Sequence, residues 1–275
     1  MRNLCFTALT MLAAALLSTM AHAADMPSVW NTIMATKKLT VCVIPSYQPY
    51  PWKDSAGVWQ GFFPEMGRDV AKSLHVTPEF VETTQATIVL DLQNNKCDAY
   101  FAFNVTPERA LAIDFAGPIY TLGCIFIDRK GWQPPGNHWA DFNDPKIHIC
   151  YLIGTSLEQQ LKRFDPRAPL IGLSKVDDCL LAVQSGRADS YLAATLDGLV
   201  TKQKNPQLGD LVFSQPANAL PSYAGIRMDS DGRFQKFMQR WSGYNRANGN
   251  VAQWLIGALE KYGVSPATIP VDIQF

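Results

Sequence analysis

The stretch "KIHICYLIGTSLEQQLKRF" (146–164) decides how the chain is read. Its first half, 146–154, is nearly all apolar, the pattern of a parallel strand buried on both faces. Its second half, 156–164, reads as a helix. Between them lies Gly154-Thr155-Ser156. Ser156 and Gln159 fit the Ser-x-x-Gln capping box. A helix start at the carboxyl end of a strand also offers free N–H groups to an anion, and Thr155 and Ser156 add hydroxyls. Downstream the alternation continues: a strand at 168–174, a helix at 176–186 stopped by Gly186, and a strand at 187–194.

A similar unit precedes it. Strand 38–45 ends in proline, a turn spans Asp54–Gly57, and helix 63–74 places Met66, Val70 and Leu74 on one face. Strand 77–83, helix 87–95 and strand 98–105 follow. A β-α-β-α-β order implies a largely parallel sheet covered by helices on both faces. Two long strands, near 119–128 and 221–228, bracket the second unit, and 131–145 is a Pro/Gly/Asn-rich excursion. Glycine-stopped helices at 232–249 and 251–263 close the chain. The expected fold class is therefore α/β, with two doubly wound lobes joined by two hinge strands. The expected division is a signal peptide at 1–23, a discontinuous lobe 1 at 24–124 and 222–275, and lobe 2 at 125–221. Open α/β sheets bind ligands beyond the carboxyl ends of their strands, so two facing lobes make a cleft, and two hinge strands permit closure.

The first residues, "MRNLCFTALTMLAAALLSTMAHA" (1–23), carry Arg2, an apolar core and a small-residue Ala21-His22-Ala23 end. That is a secretory signal, with cleavage expected after Ala23 and a periplasmic destination. No Leu-x-x-Cys lipid-attachment pattern stands near the cut. The chain holds 24 basic and 24 acidic residues, a formal net charge of zero, which argues against a nucleic-acid surface. Beyond the signal stand Cys42, Cys97, Cys124, Cys150 and Cys179. An exported protein permits pairing; free buried thiols are the alternative. If one bond forms, Cys150–Cys179 is the first expectation, since both belong to one lobe. No cysteine or histidine cluster suggests a metal, and no cofactor is expected.

"NVTPER" (104–109) follows an apolar strand. Thr106 can cap a helix and Pro107 can open it, which would leave Arg109 merely exposed. The other reading aims Arg109 into the cleft, where a guanidinium fork matches a carboxylate in two parallel hydrogen bonds. "YQPYPW" (47–52) offers aromatic faces after the first strand, and Tyr47, nearest the strand end, is the preferred candidate. Enzyme signals are thin. His75, His138 and His148 sit in no nucleophile–base pattern, and neither a Gly-x-Ser-x-Gly elbow nor a glycine-rich phosphate loop occurs.

From 38 to 263 the chain resembles periplasmic solute-binding proteins of the polar amino-acid family that serve ABC transporters. The matching stretches include "KLTVCVIPSYQPYPWKDSAGVWQGFFPEM", "LDLQNNKCDAYFAFNVTPERALAIDFAGPIYTLG", "IGTSLEQQL", "AVQSGRADSYLA" and "ANGNVAQWLIGALEKYG". The resemblance implies the type II two-lobe fold, a monomer, a small carboxylate-bearing ligand and an inner-membrane ABC permease as partner. It implies that Arg109 clamps the ligand carboxylate, that Thr155 and Ser156 help hold it, that Asn104 stands where Thr or Ser touches the ligand, and that Tyr47 lines the first-lobe side.

The departures are specific. The acid that binds the ligand ammonium in many relatives falls at Ala194, beside Thr195, which remains a ligand-binding candidate. Gly-Phe-Asp is here Gly61-Phe62-Phe63, an apolar position is Gln85, and the segment from Asp98 to Arg109 is one residue shorter than expected. The expectation is a non-enzymatic receptor. The alternatives are a cyclohexadienyl-dehydratase-like lyase, with Glu65, Asp114 or Asp197 as candidate acids, and a ligand-presenting sensor.

Overall fold

The computed structural model describes residues 27–45 and 49–268. The expected signal segment and Tyr47 lie outside them. Helix α1 (Val29–Thr36) leads into strand β1 (Lys38–Val43). A small hairpin, β2 (Trp52–Lys53) and β3 (Trp59–Gln60), flanks the expected turn and leads into α2 (Phe62–Leu74). Then come β4 (Thr77–Glu82), α3 (Ile88–Gln93), β5 (Ala99–Phe103), α4 (Pro107–Ala110) and β6 (Asp114–Leu122). The second run is β7 (Cys124–Asp128), α5 (Trp139–Phe142), β8 (Ile149–Leu152), α6 (Ser156–Phe164), β9 (Leu170–Leu173), α7 (Val176–Gln184), β10 (Ser190–Ala194), α8 (Thr195–Lys204) and β11 (Leu211–Phe213). Strand β12 (Leu220–Ile226) and helices α9 (Arg233–Ala247) and α10 (Asn250–Glu260) finish the chain.

Two five-stranded sheets result, ordered β4-β1-β5-β12-β6 and β11-β7-β10-β8-β9. In the first, β4, β1 and β5 are parallel, and β12 runs antiparallel to β5 and β6. In the second, β9, β8 and β10 are parallel, and β7 runs antiparallel to β10 and β11. The sheets are thus mixed where a largely parallel arrangement was expected, and the cause is geometric. Each reversed strand has just crossed from the other lobe. It arrives at the carboxyl ends of the parallel strands and must run against them.

The long strand expected near 119–128 is two strands, β6 and β7, joined at Gly123 where the chain changes sheet. The 131–145 excursion contains α5, capped by reciprocal bonds between His138 and Asp141. Helix α8 was not anticipated. Its Leu196, Leu199 and Val200 pack into the core of the first sheet although its strand neighbours are β7, β10 and β11. Gly198 permits this seat, because a Cβ there would run into the Ile125 side chain of β7.

Cys150 and Cys179 are bonded as expected, tying β8 to α7. Cys42 and Cys97 are bonded as well, tying β1 to the segment before β5. Cys124 is a free, buried thiol. Among the described residues no helix is long and apolar enough to cross a membrane.

Candidate functional site

One parallel strand of the first sheet and two of the second end at one place. Phe103 ends β5, Leu152 ends β8 and Ala194 ends β10, and all three line one cavity of about 80 Å³. The first lobe contributes Tyr50, Gln85, Asn104 and Arg109 to its wall; the second contributes Thr155, Ser156, Gln160 and Asp197.

Both readings of "NVTPER" hold at once. The Thr106 hydroxyl accepts the Arg109 N–H (3.3 Å) and Pro107 opens the turn. The cap fixes the Arg109 backbone, and the side chain reaches the cavity wall rather than bulk water. Its guanidinium lies over the Phe103 ring, 5.0 Å from the centroid. Nη1 donates to the Asn104 carbonyl (3.0 Å) and Nη2 crosses to the Gly154 carbonyl (3.2 Å). Burial pulls the guanidinium below its ordinary pKa, offset in part by Tyr100 and Glu108.

Asn104 joins three elements. Its side-chain NH2 donates to the Pro221 carbonyl on hinge strand β12 (3.0 Å), and its Oδ1 accepts the Ser156 hydroxyl across the cleft (2.6 Å). That second bond corrects the capping-box expectation. Thr155 is the N-cap residue of α6 and Ser156 is its first helical residue. The Thr155 hydroxyl donates back to the Leu152 carbonyl (2.7 Å), and the Glu158 carboxylate takes the Gly154 N–H (2.9 Å). Because Thr155 takes the N-cap position, Ser156 sits inside the helix and its hydroxyl reaches the other lobe.

Of the six residues named from the sequence, Arg109, Asn104, Thr155 and Ser156 come together on the cavity wall. Thr195 does not line it; it is buried, and its N–H donates to the Gly123 carbonyl at the crossing (3.1 Å). Tyr50, three residues after Tyr47, is the described aromatic of that loop on the wall. Its carbonyl accepts the Phe63 N–H (3.1 Å) and its ring stacks on Phe63 at 4.8 Å. Phe63, which replaces an expected acid, therefore backs Tyr50. Gly61 makes this approach possible: its φ is +106°, and a Cβ would strike the Pro49 and Tyr50 carbonyls.

Asp197 is one of the candidate acids named from the sequence. It is nearly buried and lines the cavity. Its charge adds to burial in raising the phenol pKa of Tyr100, Tyr120 and Tyr191, so all three stay protonated. The other candidate acids lie elsewhere. Glu65 pairs with Arg68 at 3.0 Å, and Asp114 opens β6, its pKa raised by burial and by Asp229.

The comparisons agree with this architecture. A family model described as bacterial extracellular solute-binding proteins, family 3, matches residues 39–244. A curated relative from Haemophilus influenzae, named a probable amino-acid ABC transporter-binding protein, is 25% identical over 243 residues, covering 87% of this chain and 90% of its own. The solved structure of an ancestral amino acid-binding protein, described as a precursor of cyclohexadienyl dehydratase, superposes with a TM-score of 0.74. It is 26% identical, over 86% of this chain and 99% of the other. An amino-acid ABC transporter substrate-binding protein of Streptococcus pneumoniae, bound to L-arginine, gives a TM-score of 0.75. At 19% identity, over 86% of this chain and 99% of the other, it supports the two-lobe type II fold alone.

Proposed function

The chain belongs to the bacterial extracellular solute-binding proteins of family 3, and from that membership we propose that it is a periplasmic receptor for a small carboxylate-bearing solute. The favoured class is an amino acid or a close derivative, the class printed in the names of its relatives. In this reading the protein is a monomer whose lobes, 24–124 with 222–275 and 125–221, close on the solute and present it to an ABC permease of the inner membrane. The observation that carries the reading is Arg109. It projects from the short helix α4, which follows β5, into a cavity whose opposite wall is the start of α6, so a carboxylate between them meets the guanidinium and the α6 helix dipole together.

A thermal-shift panel of amino acids and small organic acids tests this. A binding solute at about a hundred times its dissociation constant adds about 2.7 kcal/mol, or about 5–10 °C in Tm. Arg109→Ala should abolish the shift. An unchanged response of the variant to the best hit would sink the assignment. The lyase reading draws on the likeness to a dehydratase precursor and on Asp197 in the cavity; turnover of a cyclic carboxylate during incubation would favour it over transport.

A further inference from the structure

Helix α6 puts Ser156 and Gln160 on the cavity wall, four residues apart and so on one helical face. Ser156 reaches across to Asn104. Gln160 lies a turn further from the helix start and is only 9% exposed. A buried amide is costly unless both of its ends are answered. One end is answered from behind: the Gln160 Oε1 accepts the Cys124 thiol at 3.7 Å. Among the described residues no acceptor takes the Gln160 NH2.

The backing stands at the crossing between lobes. Cys124 opens β7 directly after Gly123, and Ser214 follows β11, which pairs with β7. Both side chains are buried. The Ser214 hydroxyl approaches the Cys124 sulfur (3.6 Å) and the Cys124 carbonyl (3.5 Å). Burial raises the Cys124 thiol pKa to about 11, so at neutral pH the thiol keeps its proton and donates. With the Ser214 proton directed at Cys124, the thiol proton goes to Gln160, and Ser214, Cys124 and Gln160 form a chain that runs one way. Turning the amide over would set its NH2 on sulfur, a weak acceptor, and would take the carbonyl oxygen from the thiol proton. The carbonyl end is thereby held toward the crossing, and the NH2 end is left to the cavity. Leu122 and Gly123, at that crossing, line the cavity too. A solute held at Arg109 by its carboxylate and long enough to reach the crossing meets a donor there.

We propose that Gln160 is a specificity-determining residue of this cavity and that Cys124 positions it, the thiol fixing the amide so that its NH2 selects for an acceptor oxygen on the part of the solute remote from the carboxylate. This rests on the receptor reading and on Arg109 as the carboxylate clamp. An aliphatic group of the same shape leaves the buried NH2 unanswered and is disfavoured.

Near-isosteric probes test it by isothermal titration: L-serine against L-2-aminobutyrate, L-asparagine against L-leucine, and succinamate against 4-methylpentanoate. The wild-type protein should prefer the oxygen-bearing member of the pair it binds by about tenfold or more. Gln160→Leu should weaken that member about 5- to 50-fold, leave its aliphatic partner within about threefold, and so erase the preference. Cys124→Ala should cut the preference about two- to fivefold, and Cys124→Ser, which supplies a hydroxyl donor, should restore it. A Gln160 that only packs would lower Tm in Gln160→Leu and weaken both members alike, and that result overturns the proposal. So does a preference that Cys124→Ala leaves unchanged, and so does wild-type protein that binds both members equally, a comparison needing no variant; in each of these the receptor reading survives. If no probe of either kind binds, or if Arg109→Ala binds them unchanged, the receptor reading falls and this inference falls with it.

Discussion

Helix α6 presents Thr155 and Ser156 at its start and ends at Asp165, which is wholly buried. Neither carboxylate oxygen of Asp165 has a hydrogen-bond partner among the described residues. Burial pushes its pKa from 3.8 up to about 7. The folded carboxyl then holds its proton more tightly than the unfolded one. Its contribution to stability is intact below about pH 4 and is lost as pH rises through about 7. The whole displacement corresponds to about 4 kcal/mol, of which about 3 kcal/mol falls between pH 5 and pH 8. Asparagine has nearly the same shape and does not ionise. Asp165→Asn should therefore gain on the wild type by about 6–12 °C in Tm between those two pH values.

Asp128 is also pushed up to about 7 by burial, offset in part by a Ser190 hydroxyl at 2.8 Å. It is present in both proteins, so the difference between their melting curves isolates Asp165. Scanning calorimetry at pH 5, 6, 7 and 8 measures it. A wild-type-to-variant difference in Tm that does not change with pH would refute the reasoning.

The Asn104–Ser156 bond predicts that Ser156→Ala weakens solute binding about 2- to 10-fold, and that a cycle with Asn104→Ala shows a coupling of about 0.5–1.5 kcal/mol; additive losses by titration calorimetry would mean the bond does not hold the lobes. Gly61→Ala should cost about 1–3 kcal/mol in strain, read as a lower Tm together with a weaker solute affinity, because the displaced carbonyl belongs to Tyr50; wild-type values for both would remove Gly61 from the support of the site.

The elements written plainly in the sequence are those that one local rule decides. The apolar run 149–152 and the helix after it were legible because burial on both faces leaves almost no polar residue, and Gly154 and Gly186 mark the breaks. Helix α8 was not, for a physical reason. Its sequence, "TLDGLVTKQK", has a glycine inside, no side-chain cap, and apolar residues that enter the first core while the helix itself lies along strands of the second sheet. A segment packed on two sides shows no single stripe, and its glycine records a close approach rather than a stop. The Cys42–Cys97 bond was hidden likewise. It needs β1 and β5 to be neighbours, which is a matter of sheet order and not of spacing.

The site illustrates the same division between linear position and face. Counting along the chain finds Ala194 at the strand end and stops at an alanine. The sheet ends there and a helix begins without an intervening loop, so the relevant neighbour is the next residue on the same helical face, not the next in sequence. That rule excludes Thr195, which turns to the crossing at Gly123, and selects Asp197, which lines the cavity. The same reasoning separates Ser156 from its expected capping role. Thr155 takes the N-cap position, and the Ser156 hydroxyl serves the opposite lobe. In both cases the residue at which the helix begins, and not the count along the chain, decides which side chain faces the cleft.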